Sequence, residues 1–254
     1  MRLQIILEWL LMLIIIANGL IINAKLCKIT YSRTAKFNIS RSKMLNVYNN
    51  YSLINETSTR SICYIFNNNK EIDVCFKGTS NIMDIYYNFN VCQNSYINNK
   101  IKVHNGFLSK YLSIKEKIIE KINEILKIND IKTITFNGHS SGGAMATIAS
   151  LDIRNKINRS DMIINCITFG CPRVGNLEFI KEYNRNINKS LRVVMMEDII
   201  QYVPFTPDYY HVHNETLLKG KTAFNISKFI EDIYGYFKIQ HGITNYIKSL
   251  INFN

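Results

Sequence analysis

The chain has 254 residues, enough for one sizeable domain with a proper core. Hydrophobic residues at 47% and charged residues at 20% exclude a disordered chain. The net charge of +12 would suit an anionic surface, but the lysines are scattered, with no basic run and no aromatic ladder, so no nucleic-acid module is expected.

At the N-terminus, Arg2 precedes an apolar run from Ile5 to Ile16, and small residues follow at Ala17, Gly19 and Ala24. That is the layout of a secretory signal. Residues 1–24 are expected to be a signal peptide cut after Ala24, with cleavage nearer Ala17 as the second option. An uncleaved membrane anchor is the rival reading, against which Glu8 and the Asn18-Gly19 break count. Residues 25–254 then form a single domain with no internal repeat or linker. Sequons at Asn38, Asn50, Asn55, Asn158, Asn188, Asn214 and Asn225 fit a secreted glycoprotein.

The segment Lys25–Thr59 is polar and weakly patterned, with a short helix expected around Arg41–Tyr48. Ser61–Phe66 and Ile72–Lys77 read as two strands around the turn Asn67–Lys70. All 6 cysteines lie beyond the leader, which in a secreted chain suggests disulfides. With Phe66 facing Ile72, Cys63 falls opposite Cys75, within reach of a bridge. The alternative is that these cysteines are small buried hydrophobes.

Phe107–Ile128 carries a helical apolar stripe, and Gly143–Ile153 and Asn176–Tyr183 read as further helices. Apolar runs at Ile131–Phe136, Met162–Phe169 and Leu191–Met196 read as buried strands. Strands alternating with helices predict an α/β fold with a mostly parallel central sheet flanked by helices.

Gly138-His139-Ser140-Ser141-Gly142 sits between a buried strand and a helix, the context of a nucleophile elbow. A serine hydroxyl needs a base, and the order of the α/β-hydrolase fold is nucleophile, acid, histidine. Asp198 follows a strand and His241 opens an apolar C-terminal helix, so Ser140, Asp198 and His241 respect that order. His211 is the rival histidine.

These segments resemble the fungal-type, or class 3, lipase family of the α/β-hydrolase superfamily. Thr168-Phe169-Gly170-Cys171-Pro172-Arg173-Val174-Gly175-Asn176 is similar to its TFGxPRVGN segment, and Val103-His104-Asn105-Gly106-Phe107 to its VHxGF segment. Asp198–Pro204 resembles its acid loop, and His241 with Tyr246 its late histidine element. The family usually has Leu where Ser141 stands. Val74–Thr79 resembles its VxFRGT strand end, with Lys77 in place of Arg. The resemblance implies an oxyanion hole from the backbone N–H groups of Thr79 and Ser141, and a lid over Ser80–Asn90.

It also implies a secreted, monomeric lipase that cleaves acylglycerol esters at a membrane or lipid-droplet surface through an acyl-enzyme. Phospholipase A1 activity and a catalytically idle lipid- or receptor-binding glycoprotein are the alternatives. Neither metal-ligand spacing nor a phosphate loop is present, so no cofactor is expected.

Overall fold

The computed structural model describes residues 18–32, 47–79, 92–157, 159–212, 214–218 and 241–252. The apolar leader Ile5–Ile16, most of the helix expected around Arg41–Tyr48, the lid segment Ser80–Asn90 and the sequons at Asn38, Asn158 and Asn225 lie outside those residues. Within them, no helix is long and apolar enough to cross a membrane.

Seven strands form the central sheet: β1 (Asn50–Glu56), β2 (Ser61–Asn67), β3 (Glu71–Phe76), β6 (Thr133–His139), β7 (Ile163–Phe169), β8 (Lys189–Met195) and β9 (Glu215–Leu218), side by side in that order. The first three run antiparallel, and β3, β6, β7, β8 and β9 are mutually parallel. β4 (Gln93–Tyr96) and β5 (Asn98–His104) make a separate hairpin. The expected mostly parallel sheet is present, and the β6 and β7 runs are buried because helices cover both faces.

On one face lie α2 (Asn105–Leu112), α3 (Lys115–Ile128), α4 (Ser141–Lys156) and α5 (Leu177–Asn186), packed around Phe76, Phe136, Tyr111 and Phe179. The expected helix Phe107–Ile128 is two helices. Ser113 Oγ bonds to Lys110 O at 2.8 Å, and Ile114 leaves helical geometry at φ −123°, ψ −1°. A hydroxyl competing for a helix carbonyl breaks the run without disturbing its apolar period.

On the other face lie residues 18–29, which are helical (α1), and α6 (Ile243–Ile251). Leu20, Ala24 and Cys27 pack with Phe169, Val193, Tyr246 and Leu250. Asn23 Nδ2 reaches Asn137 Oδ1 at 2.6 Å. A chain cut after Ala24 would lose Leu20, Asn23 and Ala24 from this face, whereas a cut near Ala17 would leave them in place.

The bridge expected between Cys63 and Cys75 is absent, because the hairpin is one residue out from the expected register. Asn67 pairs with Ile72, so Cys63 faces Phe76 and Tyr64 faces Cys75. Asn68 sets this register: its Oδ1 accepts the N–H groups of Lys70 at 2.8 Å and Glu71 at 2.9 Å, tightening the turn. A one-residue slip sends the two sulfurs to opposite sheet faces, into separate core clusters. Cys27, Cys63, Cys75, Cys166 and Cys171 are buried free thiols.

Asp73 is a carboxyl buried outside the Ser140 cluster with no Lys or Arg bonded to it among the described residues. Asp73 accepts from Tyr48 Oη at 2.7 Å and from Asn137 Nδ2 at 2.7 Å. Burial pushes it up to about 7, despite those two donors. In the unfolded chain it titrates near 4. Between about 4 and 7 the folded chain therefore holds a proton that the unfolded chain has released, and stability falls as pH rises through that window. Asp73→Asn should flatten this slope, so that the variant melts above the wild type at pH 8 and level with it near pH 4. A melting temperature lowered equally at both would refute this.

Candidate functional site

Ser140 stands between β6 and α4 at φ 60°, ψ −133°, a region that non-glycine residues occupy only under constraint. The constraint is visible on each side. Ser140 N–H donates to Phe169 O on the neighbouring strand at 3.0 Å. A Cβ on Gly138 would meet the Gly142 carbonyl at 2.2 Å, and one on Gly142 would meet Phe76 O at 2.4 Å. Both glycines are therefore required by the close crossing of strand and helix. The result is a serine 1% exposed, with its hydroxyl aimed by the backbone and bonded to no described residue.

Asp198 follows β8 and is fully buried. Its Oδ2 accepts from His241 Nδ1 at 2.7 Å and from Tyr246 Oη at 2.6 Å, while Oδ1 accepts from Ile200 N–H at 3.0 Å. Burial alone would raise this carboxyl, but His241, Tyr246 and Ile200 together hold it below its ordinary value. The carboxylate fixes the proton of His241 on Nδ1, leaving Nε2 as the basic nitrogen. Nε2 is buried, and like Ser140 Oγ it has no hydrogen-bond partner.

His241 is also held from behind. His139 Nε2 lies 2.6 Å from the His241 carbonyl oxygen, and the two rings stack with centroids 4.6 Å apart. A carbonyl can only accept, so His139 Nε2 carries the proton, and His139 Nδ1 accepts from Tyr31 Oη at 2.9 Å. Burial drives His139 down to about 3, so the ring stays neutral. Tyr31 lies just beyond α1, in a segment whose sequence carries no sign of this role. The rival His211 sits elsewhere: its Nε2 bonds to Gln201 O at 2.5 Å.

Gly170, at φ +54°, lets the backbone pass beneath this cluster. A Cβ there would meet Asp198 Oδ2 at 2.5 Å, Tyr246 Oη at 2.9 Å and His241 Cε1 at 3.0 Å. Gly170→Ala should cut hydrolytic activity about 100-fold, since small displacements of reacting groups cost on that order. Its melting temperature should fall as well, the added methyl meeting a buried carboxylate at positive φ. Wild-type kinetics in the variant would show that the Asp198–His241 geometry is unimportant.

Thr79 and Ser141 come together at the other side of Ser140, where Thr79 N–H donates to Ser141 Oγ at 2.8 Å. Ser141 is the first residue of α4, so its own N–H has no intrahelical acceptor. Ser140, Thr79, Ser141, Asp198 and His241 thus all line one end of the parallel strands, where such sheets present their sites.

A strained serine at a strand-to-helix elbow, a carboxylate-held histidine and a parallel sheet carrying both define an α/β-hydrolase. Comparison with known proteins gives the family: the Lipase (class 3) family matches residues 73–207, just over half of the chain. The chain belongs to the class 3 lipase family.

It is 32% identical to a lipase of Rhizopus oryzae over 181 residues, which cover 68% of this chain and 44% of that protein. It is 38% identical to a chloroplastic phospholipase A(1) of Arabidopsis thaliana over 108 residues, or 40% of this chain and 24% of that protein. The chain thus spans less than half the length of these curated relatives. Among solved structures, the Rhizomucor miehei lipase propeptide complex superposes with a TM-score of 0.69 at 22% identity, covering 80% of this chain and 67% of that one. The lipase of Rhizopus microsporus var. chinensis gives 0.69 at 24% identity, covering 79% and 74%.

Proposed function

We propose that this protein hydrolyses the carboxylic esters of acylglycerols through an acyl-enzyme on Ser140. One observation carries the reading. His241 is committed to Asp198 through Nδ1, which leaves its Nε2 as acceptor, and Ser140 Oγ is held at a strained elbow at the same end of the sheet; no hydrogen bond joins the two atoms in this structure. A serine held at φ 60° and a histidine whose tautomer is fixed by a buried carboxylate are the nucleophile and the base that acyl transfer needs.

In the reaction, Ser140 Oγ attacks the ester carbonyl while His241 Nε2 takes its proton. The imidazolium so formed is stabilised by Asp198, and then gives the proton to the departing alcohol. Water, deprotonated by the same nitrogen, attacks the acyl-enzyme and frees the fatty acid. The tetrahedral oxyanion is stabilised at the Thr79–Ser141 side. No cofactor enters these steps.

Incubation of the full chain with a fluorescent fluorophosphonate, in detergent, tests the reading. Labelling mapped to Ser140 by peptide mass spectrometry, with release of fatty acid from a diacylglycerol emulsion, is expected. A folded protein that takes no label would be an idle binding protein. Phospholipase A1 activity is the second reading, favoured by the Arabidopsis relative and by the net charge of +12, which suits an anionic phospholipid surface. Release of the sn-1 acyl chain from phosphatidylglycerol vesicles in preference to the emulsion would select it.

The N-terminal segment supports secretion, with glycans at exposed sequons such as Asn50, Asn55 and Asn214. The packing of Leu20 and Ala24 favours processing nearer Ala17 than Ala24. N-terminal sequencing of secreted protein should begin upstream of Leu20, and a start at Lys25 would refute it.

A further inference from the structure

Three side chains meet at the Thr79–Ser141 side of the nucleophile in a way that the resembled family, with leucine after its serine, cannot reproduce. Thr79 N–H donates to Ser141 Oγ at 2.8 Å, and the Thr79 and Ser141 hydroxyl oxygens lie 3.0 Å apart. From α2, Lys110 Nζ donates to Thr79 Oγ1 at 3.4 Å. An ammonium can only donate, so Thr79 Oγ1 accepts there, and its own hydrogen is free to turn toward Ser141 Oγ. Ser141 Oγ accepts the Thr79 N–H in either case. Where Thr79 also gives its hydroxyl hydrogen, the Ser141 proton remains to be given, on a residue 2% exposed and adjacent to Ser140.

We propose that the Ser141 hydroxyl is a donor of the oxyanion hole, acting beside the Ser141 N–H, with Thr79 and Lys110 aligned behind it. The inference rests on the reading of Ser140 as nucleophile. It revises the expectation that Thr79 gives its N–H to the oxyanion directly, since that N–H is committed to Ser141 Oγ. A serine N–H and its own hydroxyl leave the residue close enough to converge on one acceptor. The two hydroxyls and the ammonium point their dipoles the same way, so negative charge at the near end is favoured by the whole chain. A neutral ester carbonyl gains little from this field, whereas the tetrahedral oxyanion gains most. The effect belongs in kcat rather than KM.

Steady-state kinetics of the full chain on a soluble p-nitrophenyl ester, with a melting curve for each variant, tests this. Ser141→Ala should lower kcat about 100-fold with KM changed less than about threefold, the scale of one lost oxyanion donor. Ser141→Thr keeps the hydroxyl and should recover activity to within about tenfold of wild type. Lys110→Met should lower kcat about fivefold in wild type and under about twofold in the Ser141→Ala background, because the aligned hydroxyls that carry its influence to the site end at Ser141.

An unchanged kcat in Ser141→Ala, a loss confined to KM, no recovery by threonine, or an equal Lys110→Met effect in both backgrounds each overturns the inference. Should Ser141→Ala fail to fold, folded Lys110→Met decides alone: an unchanged kcat overturns the inference and a fall of about fivefold upholds it. A wild type that hydrolyses no ester overturns the ester-hydrolase reading, and this inference with it.

Discussion

Ser140→Ala should lose essentially all ester hydrolysis, a fall of about a millionfold in kcat, while folding as well as the wild type. The rate loss follows because no other hydroxyl occupies the elbow position with His241 behind it. Ser140 Oγ bonds to no described residue, so its removal breaks no hydrogen bond within the described residues. Alanine keeps the Cβ that the elbow already accommodates. The φ of 60° is no harder for alanine than for serine. A melting temperature within about 2 °C of the wild type is expected. A lowered melting temperature with residual hydrolysis would mean that Ser140 is structural.

Asp198→Asn is the second large effect, about 10⁴-fold in kcat. The carboxylate makes three bonds, to His241 Nδ1, Tyr246 Oη and Ile200 N–H, and all three partners are donors. An asparagine can accept from some of them only by presenting its amide N–H to another. If that N–H faces His241 Nδ1, the ring must carry its proton on Nε2, where it cannot act as a base. Tyr246→Phe removes one donor and leaves the tautomer intact, so it should cost only about tenfold, the scale of one hydrogen bond to a charged group. Equal losses in the two variants would point to general disorder of the pocket instead of tautomer control. Chain-melting curves taken beside the kinetics separate the two.

The fold and most of this constellation could be read from the chain because local signals and global architecture agree there. The β6 run is apolar and fully buried, its turn carries two required glycines, and α4 follows at once. Asp198 and His241 lie at strand and helix boundaries that chain order predicts. What could not be read depends on contacts with no periodic trace. The break at Ser113 lies in a hydroxyl–carbonyl bond, and the Cys63–Cys75 register turns on the Asn68 side chain. Residues 18–29 carry enough apolar side chains to pass for the end of a leader, yet Leu20 and Ala24 pack on the sheet. β1 has no legible sequence pattern, because an edge strand with exposed Leu53 and only Ile54 buried shows no clean alternation. The Ser141–Thr79–Lys110 chain joins positions 31 and 62 residues apart, beyond any local pattern.

The anchoring of His241 has a consequence for how the molecule comes into being. Tyr31, near one end of the chain, holds His139, which holds the backbone of His241, and Tyr246 near the other end secures Asp198. During synthesis the strands and the elbow, all within residues 50–218, can assemble before residues 241–252 have emerged from the ribosome. The basic nitrogen arrives only when those residues emerge and α6 docks beside α1. A growing chain that has not yet reached α6 therefore carries Ser140 without His241.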